Sequence, residues 1–183
     1  MSEEMLVCHC SPTLAGLKTG SLFSCPYSSQ KMIIKEIREF NQKLTQKGIR
    51  IIPVRISDKR MLVYVYRPEK LKEDFSDEKT QIILKCKGYD CTNLSQCICR
   101  LIQKLQSDPD FPHEIGLFLG YPAEDVKGFI ENKAACSKCS GCWKVYGDEQ
   151  AARILFKKYK KCTEIYCRRW KSGVAVEQLT ITR

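Results

Sequence analysis

The sequence predicts an α+β fold, loosely α/β: a small, mainly antiparallel sheet of about three strands flanked by about six to eight helices. Three observations carry this. Two runs rich in β-branched and aromatic residues, 49–56 and 61–66, stand on either side of a four-residue polar break. Apolar residues recur at three- and four-residue spacing through most of the remaining chain. At 183 residues and 43% hydrophobic content the chain suits one domain, residues 1–183, with a real core.

Each element follows from local chemistry. Ser11 followed by Pro12 reads as a helix start, a hydroxyl cap with proline in the first turn, so a short helix over 13–17 is expected to end near Gly20. Cys25 and Pro26 read as a turn. Ser28 and Ser29 offer caps for a longer helix to about Lys47, with Ile33, Ile37, Phe40 and Leu44 on one face and Gly48 as its stop. The two β-rich runs form a hairpin across Ser57, Asp58, Lys59 and Arg60. Pro53 cannot donate to a ladder, which places the first run at a sheet edge or gives it a bulge. Pro68 opens a short helix carrying Leu71 and Phe75, and another spans about 77–87. Asn93 caps a clearer helix whose inner stripe is Leu94, Cys97, Ile98, Leu101, Ile102 and Leu105. Residues 112–119 fit either a strand or a helix, and a helix is favoured because Gly120, Tyr121 and Pro122 then serve as a stop and restart. The next helix, over 123–130, has Glu124 and Asp125 in its first turn. Residues 143–146 are the expected third strand. Asp148 caps a basic amphipathic helix over 148–171 with Ala152, Leu155, Phe156, Tyr159, Cys162, Tyr166 and Trp170 on its apolar stripe, and Gly173 ends it. The tail, 174–183, adds a short strand or a helical turn.

Composition narrows the function classes. No apolar run approaches membrane-spanning length. The amino terminus, Met1, Ser2, Glu3 and Glu4, is acidic where a secretory signal needs positive charge. A cytoplasmic location is expected, and there twelve cysteines mean buried small hydrophobes, metal ligands or redox chemistry rather than a disulfide framework. The formal charge is +10, and residues 150–183 hold nine Lys/Arg against two acids. A solvated helix face is favoured over nucleic-acid binding as the reading of that asymmetry. There is no Gly-rich phosphate loop and no nucleophile elbow, which lowers the enzyme classes without removing them.

Three stretches carry candidate chemistry. Cys136, Cys139 and Cys142 repeat at a spacing that converges thiolates on one centre. With Cys25, the one cysteine preceding a proline, or with His9 or His113 as a fourth ligand, they offer a zinc or iron–sulfur site. The alternative is a reduced, solvated loop. His9, Cys10, Ser11 and Thr13, with Lys18 one short helix away, would stand at the positive end of the helix expected there. Such a corner binds small anions or cofactors and lowers a thiol's pKa, making Cys10 a candidate nucleophile and His9 its base. His113 and Glu114 pair an imidazole with a carboxylate, an acid/base or ligand set that helix capping explains equally well. The aromatics Tyr64, Tyr66, Trp143 and Tyr146 suit stacking on a flat cofactor, and suit core packing better.

Several stretches together resemble one bacterial family, the domain of unknown function family 3793, found mainly in anaerobic Gram-positive bacteria. They are His9 to Leu17, Pro112 to Pro122 with Glu124, Asp125, Val126, Gly128, Phe129 and Ile130, and Trp143 to Tyr146 followed by the basic helix. The resemblance implies a similar length and single-domain layout and brings no activity, cofactor or substrate. Three functions stay open. The first is an accessory protein binding a small anionic ligand, cofactor or metal near His9 to Thr13. The second is a thiol-dependent enzyme or redox protein using Cys10 or Cys136, Cys139 and Cys142. The third is a nucleic-acid or protein-interaction module using the basic helix.

Overall fold

The Ser2 hydroxyl accepts the Met5 amide at 3.3 Å and starts the helix Glu3–Leu14 (α1), whose first-turn acids Glu3 and Glu4 suit its dipole. The expected helix start at Ser11 is therefore corrected: Ser11, Pro12 and Thr13 form the last turn. Serine before proline resembles a start, but Pro12 sits where its missing N–H costs one bond, and the helix ends two residues later. The computed structural model describes residues 1–57, 59–107 and 110–182. It divides into two compact units, Met1–Glu69 with Tyr159–Arg183, and Lys70–Lys158.

In the first unit Gly20–Pro26 (β1) supplies the strand that the turn reading of Cys25 and Pro26 overlooked. Ser29 caps Gln30–Leu44 (α2), and a 3-10 turn, Thr45–Lys47, ends at Gly48 with φ +75°. That left-handed angle favours glycine at the stop. Arg50–Ser57 (β2) and Arg60–Tyr66 (β3) form the expected hairpin; Asp58 of its turn lies outside the described residues. The strand order is β1-β3-β2, all antiparallel, with Leu22 opposite Tyr64 and Ile51 opposite Val65. β2 is an edge strand and its register shifts between Pro53 and Arg55, so Pro53 has both an edge and a bulge.

Strand alternation sends Met61, Val63 and Val65 into one core with Phe23, Cys25, Ile51 and the α1 residues Leu6, Val7, Cys10 and Leu14. Asn41 ties α2 to β2 by bonding both the amide and the carbonyl of Ile51, at 2.9 and 2.7 Å.

The second unit is built from short helices. Pro68–Phe75 (α3) leads into it, and Asp77 caps Glu78–Cys86 (α4) through the Thr80 amide at 2.8 Å. Asn93 accepts from the amides of Ser95 and Gln96 at the start of Leu94–Ser107 (α5). Ile115–Phe118 (α6) and Ala123–Asn132 (α7) follow, the stop and restart falling where expected. Cys139–Ser140 (β4) and Lys144–Val145 (β5) make a separate two-stranded ribbon. Residues 143–146 are thus not the third strand of the main sheet, as expected; β1 is. The final long helix, Glu149–Lys171 (α8), gives residues 149–158 to this unit and 159–171 to the first, and Val176–Leu179 (α9) closes the first unit's core. Nine α-helices with a small antiparallel sheet are seen among the described residues, an α+β fold. No helix among them is long and apolar enough to cross a membrane.

Candidate functional site

The amino-terminal candidates lie in the first unit on a helix that is ending. His9 is exposed and stacks on Phe23, ring centroids 5.0 Å apart and 12° from parallel. Cys10 is fully buried, and burial pushes its thiol up to about 12 against the opposing pull of Lys18 and a hydrogen bond from Ser21. A thiol held there stays protonated at neutral pH, so the lowered pKa expected of Cys10 is corrected. The Ser11 hydroxyl donates back to the Val7 carbonyl, and Thr13 bonds Ser21 at 2.9 Å. The carbonyls of Thr13 and Leu14 are taken by Arg67. This end of α1 carries partial negative charge, the reverse of an anion cradle.

The thiol loop lies in the second unit. Cys136 precedes the ribbon with φ +58°, Cys139 is on β4, and Cys142 is in the exposed turn before β5. Cys25 is in β1 of the first unit, buried, donating toward the Met5 sulfur at 3.7 Å. Among the described residues no three His, Cys, Asp or Glu side chains form a group that could hold a metal ion.

The second unit does gather residues distant in sequence. Phe111 and His113, the helices α6 and α7, and the turn at Cys142 surround a cleft of about 440 Å³. Its floor is Ile115, Leu119 and Val126; Tyr121 lies stacked on Trp143 at 4.6 Å, and Phe129 meets the His113 ring edge-on at 4.9 Å. His113, Cys142 and Phe111 are exposed at the mouth, with Lys144 half-buried beside them. The side chains of His113 and Lys144 make no hydrogen bond or ion pair among the described residues. Burial, then the nearby Cys142 sulfur, pushes the Tyr121 phenol up to about 12, so it acts as a donor, to the Cys142 carbonyl at 3.4 Å.

One buried carboxylate, Asp125, holds this wall, and a second, Glu114, is engaged away from it. Asp125 is 3% exposed and accepts from Trp143 Nε1 at 2.7 Å, the Tyr146 amide at 2.7 Å and the Gly147 amide at 2.8 Å. It thereby fixes the ribbon to α7. Gly128 permits the same approach, since a Cβ there would run into the Tyr146 ring. Glu114, expected as an acid/base partner of His113, instead takes the Lys104 ammonium at 2.7 Å and the Tyr89 hydroxyl at 3.1 Å. Burial pushes its carboxyl up, but the Lys104 bond, aided by that charge and by Tyr89, holds it below the ordinary carboxylate value. The depressed folded-state value stabilises the protein above the unfolded carboxylate range, and this is lost as pH falls through the folded value. Thermal unfolding followed from neutral to acid pH is expected to show a shallower acid decline for Glu114→Gln than for the parent; identical acid limbs would remove Glu114 from the linkage.

Sequence reading singled out His113, Glu114, Cys142 and Trp143 but missed Asp125, whose place in a helix first turn already had an explanation. It also missed Phe111, Tyr121, Phe129 and Lys144, whose only signal was their inclusion in or beside the family-like stretches. The lysines and arginines of α8, among them Lys157, Lys158, Lys160, Lys161, Arg168 and Arg169, are exposed.

Comparison with curated proteins and with solved structures gives no match. A family model described as Protein of unknown function (DUF3793) matches residues 6–180, nearly the whole chain, and the chain belongs to that family.

Proposed function

We propose that the chain is a non-catalytic binding protein for a small, flat anion, an aromatic or heteroaromatic carboxylate or phosphate, held in the cleft of the second unit. This keeps the anionic ligand expected from the sequence and moves its site from the end of α1 to the cleft. The observation that carries the reading is the juxtaposition of an apolar, aromatic-lined cleft with two polar side chains at its margin, His113 and Lys144, whose nitrogens make no hydrogen bond or ion pair among the described residues. A volume of about 440 Å³ falls within the range of small-molecule sites, which are mostly apolar with a few orienting polar groups. Phe111 and Phe129 offer ring faces or edges to a flat ligand. Lys144 supplies a cation that a neutral aromatic would not need.

The test uses anilinonaphthalene sulfonate, a flat aromatic anion, titrated onto the native chain at neutral pH. Saturable one-site binding is expected, with a change in Trp143 emission that persists in a Trp170→Phe background. Lys144→Glu weakens binding about tenfold, equivalent to ~1.4 kcal/mol, and His113→Ala weakens it less. Dye binding unaltered by both substitutions, or no binding at all, overturns the reading.

A further inference from the structure

In the first unit, Cys8 on α1 and Cys167 on α8 bring their sulfurs to 3.7 Å across 159 residues of sequence. Cys8 faces solvent, whereas Cys167 is half-buried against the core formed by α1, the sheet and α9. We infer that Cys8 and Cys167 form a thiol-oxidation site that closes to an intramolecular disulfide with a low-molecular-weight disulfide as its oxidant. The site is independent of the cleft.

A disulfide bond is ~2.05 Å long, so the sulfurs must approach by about 1.7 Å, within reach of side-chain rotation on helices that already pack together. The two thiols also differ in access. An incoming disulfide, RSSR, reaches exposed Cys8 first. The Cys8 thiolate attacks one sulfur, giving a Cys8–SR mixed disulfide and one RSH after protonation. Cys167, adjacent and half-buried, then attacks the Cys8 sulfur and releases the second RSH. The balance is one dithiol and one RSSR in, one protein disulfide and two RSH out, with no other oxidant. Burial, followed by the hydrogen bond and charge of Cys8, raises the Cys167 thiol, which assigns it the second step rather than the first.

Closure would link the second turn of α1 to α8. It restricts the unfolded chain over a long loop and is expected to raise the midpoint of thermal unfolding by roughly 5–15 °C.

The experiment treats the full native chain with oxidised glutathione, blocks remaining thiols with N-ethylmaleimide, and maps the digest by mass spectrometry. A Cys8–Cys167 cross-linked peptide without glutathione on either cysteine is expected, with the higher unfolding midpoint, both reversed by dithiothreitol. Cys167→Ser is expected to stop at the first step and retain one glutathione on Cys8. Cys8→Ser should give neither cross-link nor stabilisation. Recovery of both cysteines alkylated, glutathione held separately on each, or cross-linking of either to a different cysteine overturns the inference. The wild-type peptide map decides this even if a variant folds poorly.

Discussion

Arg67→Leu is expected to lower the stability of the first unit by about 4 kcal/mol. The guanidinium is 3% exposed. Its Nε donates to the Thr13 carbonyl at 2.7 Å, one terminal nitrogen to Leu14 and Ile181, each at 2.7 Å, and the other to Lys47 at 3.2 Å. One side chain thus joins the end of α1, the 3-10 turn after α2 and the tail beyond α9 to the residue following β3. The partial negative charge of helix carbonyls helps to offset burial of the cation. Leucine fills much of the volume but offers no donor; Thr13 and Leu14 keep the Gly16 and Ile181 amides, at 3.0 and 3.1 Å, so the cost falls mainly on the Lys47 and Ile181 carbonyls, at about 1–3 kcal/mol for each that water cannot reach. Arg67→Lys isolates the cause. It keeps the charge and loses the fork, since one ammonium cannot span all four positions, so its stability should fall between the parent and leucine. Urea unfolding followed by emission from Trp170, which packs partly buried against the first unit's core, reads the effect. A leucine variant with the parent's midpoint and slope would show that the four bonds contribute nothing net.

The same residue shows why only part of this fold was legible from sequence. Local signals held where one residue's stereochemistry decides the outcome. Pro53 forced an edge and a bulge because it has no donor; Gly48 stopped a helix because it accepts a left-handed angle; Asn93 capped α5 through its own side chain. Where two local readings shared a signature, the sequence could not choose. Ser11 and Pro12 fit a first turn or a last one, and the Leu6, Val7, Cys10 and Leu14 stripe behind them settles it. Gly20–Pro26 has no β-branched residue and is a strand because β3 offers it an antiparallel partner. Trp143 to Tyr146 has strand composition but pairs with the thiol loop, since Asp125 holds it on α7. The cleft was less legible still. His113 and Cys142 stood out because of their chemistry, whereas Phe111, Tyr121 and Phe129 acquire significance only when α6, α7 and the ribbon bring them to one wall. Arg67, Asp125 and Glu114 belong to the same class: buried charges whose partners lie far away in sequence.

Asp125→Ala is expected to cost the second unit about 3–5 kcal/mol and to dismantle the cleft. The carboxylate takes three donors, each within 2.8 Å, from the Trp143 indole and the Tyr146 and Gly147 amides. Alanine leaves all three without an acceptor and removes the charge that strengthens each bond. Part of the loss is recovered if the ribbon swings out to meet water, and that motion is itself the predicted consequence. Asp125→Asn distinguishes loss of the latch from loss of a single bond. Its amide oxygen can still accept the two backbone amides, but its NH₂ faces the Trp143 N–H donor to donor, so about 1–3 kcal/mol is lost and the ribbon stays in place. In a Trp170→Phe background, Trp143 emission should shift to longer wavelength in the alanine variant and much less in the asparagine variant. Amide exchange at Tyr146 and Gly147 should accelerate most in alanine. Dye affinity should follow the same order, because the wall carrying Trp143 and Lys144 is the wall Asp125 holds. Fast exchange and red-shifted emission with dye affinity intact would separate the latch from the site and place the ligand elsewhere.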